Sequence, residues 1–129
     1  MANFEAHVTS YESAREFWEH SKTGKIAHNT YIARIMTTVV VFALVYHKTA
    51  VVTFNVDDTI RLNTDGWQTS TTKQRISECL PPGWSIWQTK GDWFIGHSSP
   101  QGRNTYHFED NMLLHPKTGK VTYPTFEQG

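Results

Sequence analysis

An unbroken apolar run from Val39 to Tyr46, VVVFALVY, constrains the fold more than any other stretch of the chain. The run is too short to cross a bilayer, because a membrane-spanning helix needs roughly 18 to 20 apolar residues. Its valines favour an extended conformation, since β-branched side chains pack well on a pleated surface. A strand that is apolar at every position has both faces buried. The run therefore predicts a central strand that is covered on both faces.

Shorter strand patterns precede and follow this run. Turn formers separate the first group near Met36-Thr37, at His47-Lys48-Thr49 and at Asp57-Asp58. Because such short connections join antiparallel neighbours, the strands at about residues 30–62 predict a β-meander. Its members are expected at 30–35, 38–46, 51–55 and 59–62. A later group at about residues 84–123, with a hairpin turn at Lys90-Gly91-Asp92, is expected at 84–89, 93–96, 104–108, 112–114 and 121–123.

Two helices are indicated by capping patterns and apolar stripes. Thr9 with Glu12, and Thr71 with Gln74, have the spacing of capping boxes. The helices are predicted at about residues 10–21 and 71–80. The sequence shows no repeat and no linker, so residues 1–129 predict a single compact domain. Its fold class is α+β, with a mainly antiparallel twisted sheet, built of a β-meander plus hairpins, and two short helices.

Charge and cysteine content narrow the class of protein. Lys plus Arg and Asp plus Glu each total 12, so the formal net charge is zero with neutral histidines. A protein that coats DNA nonspecifically needs a basic excess, so that class is disfavoured, although a local basic patch stays open. The single Cys79 cannot form an internal disulfide and fits a reducing compartment. No signal-peptide pattern begins the chain, so we expect a cytoplasmic protein with no membrane association.

Several motifs within residues 20–96 resemble those of a family of small proteins encoded by bacteriophages, plasmids and environmental bacterial genomes. The motifs are KIAHNTY from Lys25, ALVYHKTAVVTF from Ala43, LNTDGWQT from Leu62, TTKQRI from Thr71 and LPPGW from Leu80. The resemblance implies a viral or mobile-element setting and, if phage-encoded, the host cytoplasm. It implies no reaction. His28, Ala50 and Asp65 depart from the family pattern, which has Asn, an acidic residue and Gly at these positions.

Histidine and a hydroxyl residue stand two apart in three motifs: His28-x-Thr30, His47-x-Thr49 and His97-x-Ser99. Residues two apart on a strand share a face, so an imidazole can act as acid or base beside a hydroxyl that anchors a phosphate. If strands 30–35 and 38–46 pair, His28 lies opposite the neighbourhood of Tyr46 and His47. The favoured interpretation is simpler: His47-Lys48-Thr49 is a turn whose polar groups cap strand ends.

The stretch from Gly66 to Arg75 is richer in functional groups than a connection requires. Unpaired N–H groups at a helix start attract anions, Lys73 and Arg75 add positive charge, and Trp67 is a candidate aromatic anchor. A competing interpretation is an N-cap at Thr71, with Lys73 and Arg75 facing water. The candidate binding residues are Trp67, Thr69, Thr71, Thr72, Lys73, Arg75, His47 and Thr49.

The other aromatic, histidine and cysteine residues give weaker indications of a functional site. Most aromatic residues are expected in the core, with one or two exposed near Lys or Arg as a stacking platform for single-stranded nucleic acid or a protein contact. Trp87 and Trp93 flank the hairpin turn and are placed to pair across it. The seven histidines include no i, i+4 pair, so no metal site is predicted. Cys79 is expected to be buried rather than nucleophilic.

These features predict a small phage or mobile-element accessory protein that acts by binding rather than by catalysis, without a cofactor. A host or phage protein is the favoured partner over nucleic acid, because the net charge is zero. The alternative is a phosphoesterase or a nucleotide- or nucleic-acid-binding protein. It would use His28, Thr30, His47 and Thr49, with the Thr/Lys/Arg helix start. A third hypothesis is a virion component.

Overall fold

The computed structural model describes residues 8–124, within which the chain forms two helices and ten strands. The helices are α1 (Tyr11–His20) and α2 (Ser70–Glu78). The first five strands are β1 (Lys25–Ala27), β2 (Thr30–Met36), β3 (Val40–Tyr46), β4 (Thr49–Phe54) and β5 (Ile60–Leu62). The others are β6 (Trp84–Thr89), β7 (Asp92–Ser99), β8 (Gly102–His107), β9 (Met112–His115) and β10 (Lys120–Thr122).

The strands form two antiparallel sheets. The larger has the order β1-β2-β3-β4-β5-β9-β10, and the smaller has the order β6-β7-β8. The predicted α+β class, with the meander β2 to β5 and the β6–β7 hairpin, is confirmed. The strand β1 and its pairing with β2 were not predicted, because three residues between turn formers give too short a pattern.

The apolar run from Val40 onward forms β3, as predicted, and pairs with β2 on one edge and β4 on the other, whereas Val39 lies in the preceding turn and is exposed. The side chains of β3 are buried on both faces, with Phe42 and Leu44 on one and Val41 and Ala43 on the other. Five residues then make one buried row across the sheet: Ile32, Leu44, Val52, Leu62 and Met112. Burying such side chains stabilises the fold by about 1.5 to 3 kcal/mol each.

The helix α1 begins with Ser10 and not with the predicted Thr9–Glu12 capping box. Ser10 Oγ accepts a hydrogen bond from Ser13 N at 3.1 Å, and Ser13 Oγ accepts one from Ser10 N at 3.0 Å. Ser13 supplies the reciprocal bond because its short hydroxyl reaches back to the start of the helix, whereas the Glu12 carboxylate pairs with Arg15. The helix lies against β3, where the Tyr11 ring meets the Phe42 ring edge to face.

The helix α2 begins two residues before the predicted Thr71–Gln74 capping box. Thr69 has an extended backbone and is the N-cap: its Oγ1 accepts from Thr72 N at 3.1 Å, and its carbonyl accepts from Lys73 N. Thr71 is therefore inside the first turn. Ile76 is fully buried and attaches the helix to the core.

The smaller sheet contributes its inner face to the same core. Trp93 and Ile95 on β7 are buried there. The predicted pairing of Trp87 with Trp93 is wrong, because the two-residue turn sets Thr89 opposite Asp92, which places Trp87 opposite Phe94. Trp87 and Trp93 consequently lie on opposite faces, since side chains alternate along a strand. No helix within residues 8–124 is long and apolar enough to span a bilayer.

Candidate functional site

A cleft of about 720 Å³ opens where the β3–β4 turn faces the loop between β5 and α2. Its size lies in the range of about 300 to 1,000 Å³ that is typical of ligand sites. The wall combines aromatic rings with hydroxyl and charged side chains. The lining residues are Asn29, Tyr31, Tyr46, His47, Lys48, Thr49, Val51, Thr64, Asp65, Trp67, Thr69 and Thr72.

One side of the cleft is the β3–β4 turn. His47 N donates to Asn29 O at 2.8 Å, which continues the β2–β3 pairing one step past Tyr46. His47 has a φ of 57°, so it lies in the turn and not on a strand. Its ring is 4.4 Å from the Tyr46 ring, between centroids. The predicted turn is thus observed at His47-Lys48, and Thr49 is the first residue of β4.

The opposite side of the cleft is the loop from Thr64 to Thr69, and Asp110 holds its first part. Asp110 Oδ1 accepts from Thr64 N at 2.7 Å and from Thr64 Oγ1 at 2.8 Å, while Oδ2 accepts from Gly66 N at 3.2 Å. Gly66 has a φ of 82°, which a residue with a side chain rarely adopts. The carboxylate therefore fixes the loop immediately before Trp67.

Trp67, the aromatic residue of this loop, has 68% of its surface accessible. Its backbone is ordered by two hydrogen bonds: Trp67 N donates to Thr64 O, and Thr69 N donates to Trp67 O. A large apolar ring on an ordered backbone binds a ligand with little loss of entropy. Tyr31, across the cleft, is also exposed.

Polar groups in the cleft are available to a ligand. Among residues 8–124, no side-chain hydrogen bond engages the hydroxyl of Thr49, the imidazole of His47 or the ammonium of Lys48. The charges of Lys48 and Asp65 balance each other. The lining can therefore donate and accept hydrogen bonds without presenting a strong field of either sign.

Five of the predicted binding residues meet in this cleft: His47, Thr49, Trp67, Thr69 and Thr72. The two stretches that carry them are well separated in sequence, and the fold brings them together. Thr69 and Thr72 hydroxyls lie 3.0 Å apart at the start of α2 and partly satisfy each other.

The other three predicted binding residues lie outside the cleft lining. Thr71 is in the first turn of α2. Lys73 Nζ donates to Gln88 Oε1 at 2.9 Å and lies 5.6 Å from the centre of the Trp93 ring. Arg75 is buried, contrary to the interpretation in which it faces water, and its Nε donates to Thr30 Oγ1 at 3.0 Å. Both cations thus contact other parts of the fold.

The paired His-x-Thr motifs have different surroundings. The predicted strand pairing occurs, with Thr30 opposite Tyr46. Thr30 is nevertheless fully buried, and its hydroxyl donates to His28 O at 2.7 Å while accepting from Arg75. His28 is exposed and does not line the cleft, so of this pair only His47 and Thr49 do.

No three His, Cys, Asp or Glu side chains converge as metal ligands in the described part of the chain. Cys79 is buried after the last turn of α2, and burial raises the pKa of its thiol well above the ordinary value. Its environment thus favours the unreactive thiol form.

Sequence reasoning missed much of the cleft wall and the residue that shapes it. Tyr31 and Tyr46 were recognisable as strand aromatics, but the β2–β3 register places them on opposite faces of the sheet, so only the tertiary structure shows that both line the cleft. Nothing in the sequence around Asp110 indicates that it holds the Trp67 loop, because that loop is 46 residues earlier in the chain.

One family model matches most of the chain. The family model described as Kyanoviridae Gp96 protein matches residues 3–115, which is most of the sequence. The chain belongs to this family. The viral setting that the motifs implied is confirmed, because the family is a phage protein family. Membership of this family does not assign a reaction or a partner. Searches of curated proteins and of solved structures return no match.

Proposed function

We propose that this member of the Kyanoviridae Gp96 family is a phage accessory protein that binds, in its cleft, an exposed segment of a host or phage protein in the host cytoplasm. The main support is that Trp67 and the His47–Thr49 turn line the same cleft. Trp67 is the anchor, and the surrounding hydroxyls supply hydrogen bonds to a peptide backbone.

The aromatic content of the wall supports a protein partner. Tyr31, Tyr46 and Trp67 all line the cleft, and aromatic residues are enriched where protein interfaces gain most of their binding energy. Threonine hydroxyls and Asn29 lie among them. This mixture suits a peptide, which presents both apolar side chains and unpaired backbone groups.

The charge of the wall supports a protein partner over a nucleic-acid backbone. Lys48 and Asp65 offset each other, and Lys73 and Arg75 contact other parts of the fold. Phosphate backbones are bound chiefly by cationic side chains that release counterions. The cleft has no such excess among its lining residues.

Selection of displayed random dodecapeptides on the immobilised protein tests the proposal. Peptides enriched on the unmodified protein are expected to lose about 30-fold in affinity with Trp67→Ala, since an anchor of this kind contributes about 2 kcal/mol. Met36→Ala is the matched control, because Met36 is 67% exposed at the other end of β2. Failure to enrich peptides, or equal binding by the Trp67→Ala protein, contradicts the proposal.

The second candidate is a phosphoesterase or nucleotide-binding protein that uses the His-x-Thr motifs. Its supporting observation is that His47 and Thr49 line the same cleft as the start of α2. The buried, doubly bonded Thr30 hydroxyl counts against the paired-motif form of this candidate. Hydrolysis of bis-p-nitrophenyl phosphate that His47→Ala abolishes in a folded protein would favour it over peptide binding.

A further inference from the structure

The outward face of the smaller sheet carries aromatic and polar side chains without any aliphatic one. The register places ten residues on this face: Ser85, Trp87, Thr89, Asp92, Phe94, Gly96, Ser98, Arg103, Thr105 and His107. The core-facing side of the same strands has the opposite character, with Trp93 and Ile95 buried. Hence the aromatic residues of the outward face are not needed to complete the core.

Four of these side chains form a continuous row. The Trp87 ring lies 6.0 Å from the Phe94 ring, with an angle of 26° between the planes. Phe94 meets His107 edge to face at 5.4 Å, and the Arg103 guanidinium carbon lies 4.6 Å from the centre of the Trp87 ring. We call these four residues, His107, Phe94, Trp87 and Arg103, the aromatic row.

Gly96 makes room for the aromatic row. A Cβ atom on Gly96 would lie 2.7 Å from Trp87 Cζ3 and 3.1 Å from an Arg103 terminal nitrogen. A contact of 2.7 Å between two carbon atoms essentially does not occur, so any side chain at position 96 would displace the indole ring or shift the strand. The glycine thus leaves room for the edge of the Trp87 six-membered ring.

We propose that the outward face of β6–β8 binds single-stranded nucleic acid by stacking bases on the aromatic row. Aromatic side chains on exposed antiparallel sheets stack on unpaired bases, and each stacked base is recognised through its flat face whatever its identity. Arg103 makes no ion pair with another described residue, so its guanidinium is available to a phosphate. The surrounding Ser and Thr hydroxyls can bond to base edges.

The composition of this face favours nucleic acid over a protein partner. Trp87 and Phe94 are stacked side by side on an open sheet with Arg103 over the indole, an arrangement that suits successive unpaired bases, and the face has no aliphatic side chain to add apolar contact with a protein. The cationic contribution is small, because Arg103 is the one Lys or Arg among the ten residues of this face, and Asp92, 4.0 Å from His107, adds a negative charge. We therefore expect binding that depends on stacking, with a shallow salt dependence.

Fluorescence anisotropy with labelled dT12, U12 and a 12-base-pair DNA duplex tests this inference. Both single strands are expected to bind and the duplex to bind more weakly, because its bases are not free to stack. Trp87→Leu, which keeps an apolar side chain but removes the ring, should weaken binding by about 5- to 150-fold. Arg103→Gln should weaken it less and flatten the salt dependence further.

Trp67→Ala is the matched control, because it removes an exposed indole from the cleft and leaves the aromatic row intact. That variant should bind dT12 as the unmodified protein does. Arg103→Gln, at an exposed position, keeps the test valid if Trp87→Leu does not fold. The proposal is overturned if neither single strand binds at low salt, which is the result expected if the partner of this face is a protein. It is also overturned if the duplex binds as tightly as the single strands. Loss of binding in Trp67→Ala, with none in Arg103→Gln, also overturns it.

Oligonucleotide binding on the aromatic row is independent of peptide binding in the cleft. Peptide binding in the cleft depends on Trp67, and oligonucleotide binding on the aromatic row depends on Trp87 and Arg103. Failure of one therefore leaves the other unaffected, and the two variants distinguish them.

Discussion

Asp110 and Thr64 join two parts of the chain that are 46 residues apart in sequence. One carboxylate oxygen of Asp110 accepts from both the backbone N–H and the hydroxyl of Thr64, at 2.7 and 2.8 Å. The other oxygen accepts from Gly66 N. The position of the Trp67 loop is thus set by a residue that lies between β8 and β9, far from the loop in sequence.

Replacing Asp110 should therefore loosen the loop as well as destabilise the fold. Asp110→Ala leaves Thr64 N–H without its acceptor, and hydrogen bonds to a charged group are worth about 1.5 to 3 kcal/mol. We expect a loss of that order in the free energy of unfolding by urea. Hydrogen exchange at residues 64–67 should accelerate, while the exposed control Glu109→Ala leaves both quantities near their original values. Unchanged exchange in Asp110→Ala would contradict this role.

The buried contact between Arg75 and Thr30 provides a second prediction. Thr30→Val preserves the shape of the side chain but removes the acceptor of Arg75 Nε. An unsatisfied buried donor costs about 1 to 3 kcal/mol, so chemical denaturation should show a loss in that range. Thr53→Val is the control, because Thr53 is half-buried on β4. Equal effects of the two substitutions would mean that the Arg75 contact contributes no stability.

Gly96→Ala should disturb the aromatic row without touching the core side of β7. The added methyl group would displace Trp87 or bend the strand, and overpacking of this kind costs about 1 to 3 kcal/mol. Near-ultraviolet circular dichroism should change, because the environment of the indole changes. Ser98→Ala, at the next outward position of β7, serves as the control. A Gly96→Ala spectrum that matches the original would show that the row has room to spare.

Cys79 should resist alkylation in the folded protein. Burial raises the pKa of its thiol, so at pH 8 the reactive thiolate is a smaller fraction than for a free cysteine. Iodoacetamide labelling followed by mass spectrometry is expected to proceed only after denaturant is added. Rapid labelling of the native protein at one equivalent per chain would contradict the buried position.

Asp57 gives a pH-dependent contribution to stability. The Thr59 hydroxyl and then the Thr59 N–H donate to its carboxylate and lower its pKa in the folded state. A lowered pKa stabilises the fold above the unfolded value of about 3.9, and this contribution is lost as pH falls through the folded pKa. The difference in unfolding free energy between the original protein and Asp57→Ala should therefore be largest near pH 6 and shrink below pH 4. In a Thr59→Val background, the effect of Asp57→Ala on the free energy of unfolding should be smaller near pH 6, because both hydroxyl and carboxylate are needed for the hydrogen bond. A difference that stays constant down to pH 2 would exclude this mechanism.

Local patterns in the sequence predicted the elements well. The apolar run fixed β3, and turn formers on each side of it limited how β2 and β4 connect to it. The start of α2 was predicted two residues late, because Thr69 and Thr71 are equally suitable caps by residue type. Only the extended backbone at Thr69 distinguishes them.

The site was predictable only in parts, because its wall depends on long-range contacts. The Trp67 loop and the His47 turn could be selected by their polar and aromatic content. Their meeting around one cleft could not, since it depends on how β5 and α2 pass the β3–β4 turn. Arg75 looked like a surface cation in sequence, and its burial against Thr30 requires a partner 45 residues away.

The most direct test of the central claim is a titration of the ¹⁵N-labelled protein with a peptide enriched by selection, followed by amide chemical shifts. The account predicts that the largest shift changes cluster at residues 46–49 and 64–72, on both sides of the cleft. It also predicts that Trp67→Ala moves the midpoint of the titration to a peptide concentration about 30-fold higher, while Met36→Ala leaves it unchanged. Shift changes centred elsewhere on the protein, or none at saturating peptide, would contradict the claim that this cleft is the binding site.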